Sequence, residues 1–194
     1  FGVGNYRTVD ALYCTSKFKL ATNDLLGARR AVQAAVVVLV SSRRTHHPKY
    51  AEALRICSEI DLKCGMFVQA KIRINKCINI WRARLDEHHP FLVEGRIFRA
   101  KILLCMAATK TVKTELMLLE KIVADHFGPC HPLMAYILVE KANFFFREGN
   151  VKEALVISQD AKLLCRRRHC ESHGISVRAS HLYGLCQASL ANFE

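Results

Sequence analysis

The densest group of potential metal ligands lies near the carboxyl end of the chain, at Cys165, His169, Cys170 and His173. Structural zinc takes four thiolate or imidazole ligands, but this spacing fits no standard zinc motif. The arginines Arg166–Arg168 between the first two ligands would also disfavour a dication. We therefore predict no metal site here, and we expect no cofactor.

Cysteine and histidine are also ingredients of nucleophilic catalysis, which needs a nucleophile, a nearby base and a third group that orients the base. The nine cysteines lie mostly in apolar helical runs, which suits reduced thiols used as small hydrophobic residues. The nine glycines are scattered and form no phosphate-binding loop. We expect a non-enzymatic protein in a reducing compartment. The cytoplasm fits that expectation, with a cytoskeletal or ciliary assembly as one setting.

The chain is strongly basic, with 29 Lys and Arg against 17 Asp and Glu and a formal net charge of +12. Arginines recur at Arg43–Arg44, Arg82, Arg84 and Arg166–Arg168, where predicted second helices end and cations complement the helix dipole. The alternative is a basic edge that binds nucleic acid, although aromatic residues for base stacking are few, at 8%. The longest apolar run, Ala31–Val40 interrupted by Gln33, is too short to span a bilayer.

The elements that would position these side chains repeat along the chain. Three of the four prolines follow a histidine, and successive pairs are 42 residues apart, at His47-Pro48, His89-Pro90 and His131-Pro132. When each unit is counted from its histidine as zero, seven columns agree in size and polarity. The column 11 residues on is an example, with Ser16, Ser58, Ala100, Ala142 and Gly184. A fixed register of this kind indicates a repeat architecture.

Within each unit the apolar positions step by three, four and seven, which is the period of a helix. Proline after the histidine suits the first turn of a helix, and a break is expected near position 18, as at Gly149. One hairpin cannot bury such a face alone, so neighbours must stack. We predict one array with units 1–42, 43–84, 85–126 and 127–168 and a partial unit 169–194. The chain lacks a starting Met and stops within a unit, so we expect a longer protein.

The segment Gly149–Leu155 resembles the core signature of a tetratricopeptide repeat, with a turn glycine, a large residue and then alanine. The 42-residue register, with Phe127-Gly128 before His131-Pro132, is similar to the longer variety in kinesin light chains and other adaptors. That resemblance implies an all-α, right-handed superhelical stack of antiparallel helix-turn-helix repeats that acts as a scaffold. The kinesin pattern has an aromatic residue at position 14 and an Asn at position 8, where this chain has Asp61 and Arg55. We infer kinship of repeat type and not membership of the kinesin motor complex.

In stacked repeats the first helices line an extended inner groove. Polar residues at positions 5, 8, 9 and 12 of these helices lie off the packed columns, and we predict that they form the partner-binding groove: Lys17, Arg55, Glu59, Lys101, Glu140, Asn143, Arg178 and His181. Charged groups there could hold a carboxylate, in an acidic or C-terminal peptide segment. A plain solvated face accounts for them equally well. The leading prediction is a scaffold or adaptor that binds a peptide or subunit in this groove.

Overall fold

The computed structural model describes residues 7–167 and 174–191, and in those ranges the chain is all-α, without a strand. Its helices in chain order are α1 (Thr8–Ala21), α2 (Leu25–Ser41), α3 (Pro48–Lys63), α4 (Phe67–Arg82), α5 (Pro90–Cys105), α6 (Thr109–Phe127), α7 (Pro132–Arg147), α8 (Val151–Arg167) and α9 (Gly174–Ala191). The predicted all-α hairpin repeat is confirmed. Within the described ranges, none of the helices combines the length and the apolar character that crossing a bilayer requires.

The chain divides into two compact units, Phe1–Ile102 and Leu103–Glu194. In the first unit α1 packs on α2 and α3 packs on α4, while α2 packs on α3. In the second unit α7 packs on both α6 and α8, and α9 packs on α8 and α7. These helices therefore contact their neighbours in sequence, and first helices of successive hairpins also meet, as stacked hairpins require.

The repeated histidine caps the first helix of its hairpin. In His47, His89 and His131 the Nδ1 atom accepts a hydrogen bond from the backbone N–H two residues later, at 3.1, 3.2 and 3.3 Å. This satisfies one of the N–H groups that a helix start leaves without an intrahelical partner. Burial, followed by nearby cations of which Arg44 is the first, lowers the pKa of His47. The neutral imidazole is thereby favoured, and only a neutral ring can accept at Nδ1.

The turn inside each hairpin places a residue in the left-handed region at position 18. Asn23, Gly65, Ala107 and Gly149 have φ values of 62, 75, 56 and 80°. Glycine adopts this conformation without steric cost and asparagine tolerates it, whereas the Cβ of alanine is crowded there. The break expected near position 18 is therefore present in all four hairpins. Among the four residues at this position, Ala107 is the strained one.

We expect Ala107→Gly to raise the free energy of unfolding by about 0.5–1 kcal/mol, because relief of the left-handed strain exceeds the entropy that glycine adds to the unfolded chain. Urea denaturation followed by circular dichroism measures the change. The matched control is Ala188→Gly on the exposed face of α9, which should lose about 1 kcal/mol. Loss of stability in both variants would contradict the assignment of strain to Ala107.

The small and apolar columns of the repeat form the core. Every described member at positions 23 and 30 is fully buried: Ala28, Ala70, Val112 and Ala154, and Ala35, Cys77, Leu119 and Ala161. Three described members of other columns are exposed, namely Phe18 of α1 and Val177 and Gly184 of α9. The described members of the column at position 20 are half-buried. Among the described elements, α1 and α9 are the outermost first helices of their units, so each packs against fewer neighbours than α3 or α7 does.

Candidate functional site

A chain of ion pairs links the first helices α1, α3 and α5 of the first unit. Lys17 Nζ lies 2.8 Å from Glu52 Oε1, which joins α1 to α3. Arg55 donates from Nε and Nη2 to the two carboxylate oxygens of Glu52, both at 2.9 Å. Its Nη1 atom also lies 3.6 Å from Glu59 and 4.0 Å from Glu94 of α5. Lys17, Arg55 and Glu59, three of the predicted groove residues, therefore meet in one network.

Arg55 is the centre of this network, and its side chain is only 14% exposed. Burial by itself would lower the pKa of Arg55, but the hydrogen bonds and charge of Glu52, together with the other carboxylates, raise it overall. The same contacts lower the pKa of Glu52 against the opposing effect of burial. The bidentate contact with Glu52 already satisfies the Arg55 guanidinium. An acidic ligand would have to displace an internal carboxylate to reach it.

A groove of about 440 Å³ opens beside the network, and we call it the first-helix groove. Its floor is aromatic: the buried Trp81 ring stacks on the Phe91 ring with centroids 5.9 Å apart, and Phe91 is 53% exposed. The Tyr13 hydroxyl donates to the Lys49 carbonyl and fastens α1 to α3. The first-helix groove is lined by Asp10, Tyr13 and Lys17 of α1, Pro48, Lys49, Glu52 and Arg55 of α3, Trp81 of α4, and Phe91 and Glu94 of α5.

Solved structures share this arrangement of helices. A protein of Podosopora anserina assigned as a kinesin light chain, with nearly identical TPR-like repeats, superposes with a TM-score of 0.71 at 13% identity, over 97% of this chain and 89% of that one. A form of that protein with a single substitution also superposes with a TM-score of 0.71, at 14% identity, over 96% of this chain and 88% of that one. The chain has the tetratricopeptide-like repeat fold. The fold match covers nearly all of both chains, so the resemblance in repeat type is confirmed.

A third tetratricopeptide-like neighbour is the Rap conjugation gene regulator of the plasmid pLS20, solved in complex with the Phr* peptide. It superposes with a TM-score of 0.69 at 13% identity, over 92% of this chain and 52% of that one. No protein-family model matches the chain, and no curated protein matches it significantly. These solved structures share the fold of this chain, but their sequence identities are too low to assign individual site residues of this chain from theirs.

The predicted groove residues of the second compact unit, Leu103–Glu194, have different surroundings. Glu140 of α7, expected on an open wall, is instead buried, and its Oε1 atom lies 2.5 Å from Arg178 Nη2 of α9. Glu140 differs from the prediction because α9 packs on this face of α7, and Arg178 of α9 neutralises the carboxylate. Asn143 is half-buried and His181 is exposed. In the first unit, Lys101 is half-buried, with its Nζ atom 6.0 Å from the centre of the Phe98 ring.

A second groove, of about 470 Å³, lies in the second unit between α6 and α7. Lys141 of α7 pairs across it with Glu120 of α6 at 2.8 Å. The aromatic part of its lining is Phe144 and Phe145, and the exposed Met117 adds a further apolar side chain. Most of the lining of this groove comes from α6, a second helix of the repeat, so the groove does not belong to the predicted first-helix surface.

Sequence reasoning missed the acidic residues of the first-helix groove. Asp10, Glu52 and Glu94 occupy position 5 in three successive tetratricopeptide-like units, and we call them the acidic column. The recurrence of a carboxylate at one register was visible in the sequence. Its meaning depended on the adjacency of α1, α3 and α5, which only the fold supplies.

The residues considered as metal ligands are only partly described. Cys165 is buried at the end of α8, whereas His169, Cys170 and His173 lie outside the described residues. In the part of the chain that is described, no three potential ligands are grouped closely enough to hold a metal ion.

The described cysteines are free thiols whose side chains range from buried to exposed. Cys77 and Cys186 are buried, and burial raises the pKa of both thiols. These two fit the predicted use of cysteine as a small hydrophobic residue. Cys64 and Cys130, by contrast, are exposed.

Proposed function

We propose that this chain is a non-enzymatic scaffold that binds a peptide segment of another protein across the first-helix groove. The observation that carries the proposal is the half-exposed Phe91 ring, which lies in a groove between three first helices and is backed by the buried Trp81. A rigid aromatic side chain in a concave site is the usual anchor of a binding energy hot spot. The Phr* peptide held by a neighbour of the same fold supports a peptide as the occupant.

The test begins with affinity capture of the full chain from cells and identification of its partners, followed by binding measurements with each purified partner. We expect Phe91→Ala to weaken binding of the groove partner at least about tenfold, because truncation of an aromatic hot spot costs roughly 2 kcal/mol or more. Val156→Ala is the control, because Val156 is a similarly exposed apolar residue on α8 of the other unit. Equal affinity of Phe91→Ala and wild-type protein for every partner would contradict the proposal.

A second candidate function is nucleic-acid binding at the basic edge. In the first unit, a cavity of about 620 Å³ beside the end of α4 is lined by His46, Lys76 and Arg84 with neutral residues and no carboxylate. Cations without compensating acids suit phosphate groups. Filter binding to unrelated nucleic acids should then weaken steeply as salt rises, and Arg84→Glu should weaken it further. Absence of nucleic-acid binding even at low salt would remove this candidate.

A further inference from the structure

The occupant of the first-helix groove is constrained by which of its charges are already paired. Lys17 contacts Glu52 at 2.8 Å, and Arg55 is enclosed by carboxylates. Lys49 contacts Asp10 at 2.6 Å, but that carboxylate is 65% exposed against 30% for the lysine. A ligand therefore meets the acid of this pair more readily than the base.

Glu94 is the least compensated charged group of the groove. The ion pair that the structure records for it is the 4.0 Å contact with Arg55, and its side chain is 48% exposed. It lies one helical turn from Phe91 on α5, so the carboxylate and the half-exposed ring occupy the same face of that helix. A guanidinium placed there would donate a charge-assisted hydrogen bond to the carboxylate and would make a cation–π contact with the ring.

We infer that the first-helix groove recognises an extended segment that carries two basic side chains, one for Asp10 and one for Glu94, with apolar side chains between them. This inference rests on the proposed function and specifies its ligand. It reverses the charge expected from the sequence, where an acidic segment was predicted. It also runs against the chain's net charge of +12, so general electrostatic attraction would not produce such binding.

The fold also sets the spacing of the two basic residues. Asp10 lies on α1 and Glu94 on α5, and α3 lies between them in the lining of the groove. Packed helix axes are about 8–10 Å apart, so the axes of α1 and α5 should be roughly 16–20 Å apart, and we take this as the span between the two carboxylates. An extended chain advances about 3.3 Å per residue, so the basic residues should be roughly five or six positions apart. The apolar residues between them would cross the Tyr13 and Phe91 rings.

The experiment is selection of random nine-residue peptides, displayed on phage, against the immobilised full chain. We expect the selected peptides to be enriched in Arg and Lys at two positions five or six residues apart, with aliphatic or aromatic residues between. The double variant Asp10→Asn and Glu94→Gln should bind the selected peptides at least about tenfold more weakly. The control Glu87→Gln and Asp160→Asn removes two exposed carboxylates outside the groove and should bind them within about twofold of wild type.

The outcomes separate this inference from the proposed function. Selected peptides that are acidic or neutral, and that compete with one another for a site weakened by Phe91→Ala, would overturn the basic occupant and keep the peptide-binding role. Basic peptides that bind the double variant as tightly as wild type would also overturn it, because they would be bound elsewhere. If no peptide is selected at all, both proposals fail. A thermal melt of each variant by circular dichroism checks that the fold is retained.

Discussion

Replacement of Asp61 by alanine is expected to lower the free energy of unfolding by about 2–3 kcal/mol. Asp61 lies in α3 with its side chain fully buried. Its Oδ1 atom accepts a hydrogen bond from Arg29 Nη2 of α2 at 3.1 Å, and its Oδ2 atom accepts one from Arg73 of α4. Removal of one member of a buried ion pair typically costs about 3–5 kcal/mol, because it leaves uncompensated charge. We expect less here because Arg29 and Arg73 are 28% and 34% exposed and can turn towards water.

Urea denaturation of the full chain measures this loss, and two further variants identify its cause. Asp160→Ala removes an exposed aspartate of α8 and should change stability by less than about 0.5 kcal/mol. Asp61→Leu combined with Arg29→Met and Arg73→Met should recover most of the loss, because a buried ion cluster can be replaced by apolar residues of similar volume. An Asp61→Ala protein as stable as the Asp160→Ala control would show that the cluster contributes nothing to folding.

Gly95→Val is expected to destabilise the first unit by about 2–3 kcal/mol. A Cβ atom built at Gly95 in α5 would lie 3.0 Å from Trp81 Cζ3 and 3.4 Å from Ile78 Cγ1, both in α4. The indole of Trp81 is almost fully buried, so it has no room to retreat. Extra methyl groups forced into a packed core cost about 1–3 kcal/mol, and valine adds more than the single atom that already makes a tight contact.

The single tryptophan makes this prediction directly observable. We expect Gly95→Val to shift the Trp81 fluorescence emission as well as lower the urea midpoint, since the chain contains no other indole. The control is Gly184→Val in α9, where a Cβ atom would meet nothing within 4 Å. That variant should leave both stability and emission nearly unchanged. Unchanged emission and stability in Gly95→Val would mean that α5 can move away from α4 without cost.

The Trp81 environment connects folding to the proposed site. Because Trp81 stacks on Phe91, the same ring reports on the core from one side and on the first-helix groove from the other. A bound peptide that covers Phe91 is therefore expected to change Trp81 emission, which provides a binding signal without a label.

The local features of this repeat were predictable because their chemistry acts over a few residues. A histidine followed by proline caps and begins a helix by contacts with its own next turn, as at His47 and His131. A residue that tolerates positive φ ends the first helix of the hairpin at a constant distance, as at Gly65 and Gly149. The period of the apolar residues then determines which face is buried. These signals repeat every 42 residues, so each unit supports the interpretation of the others.

The pairing of charges was decided by the tertiary structure. Asp61 departs from the aromatic residue expected at its position, and its burial depends on arginines from two other helices. Glu140 was predicted to face a groove, but Arg178 of α9, 38 residues away, covers it. The residues around a charged side chain on a helix do not show whether another helix will supply its counter-ion, because that depends on how distant segments pack. Which carboxylates remain open to a ligand, Asp10 and Glu94 among them, follows from the same packing.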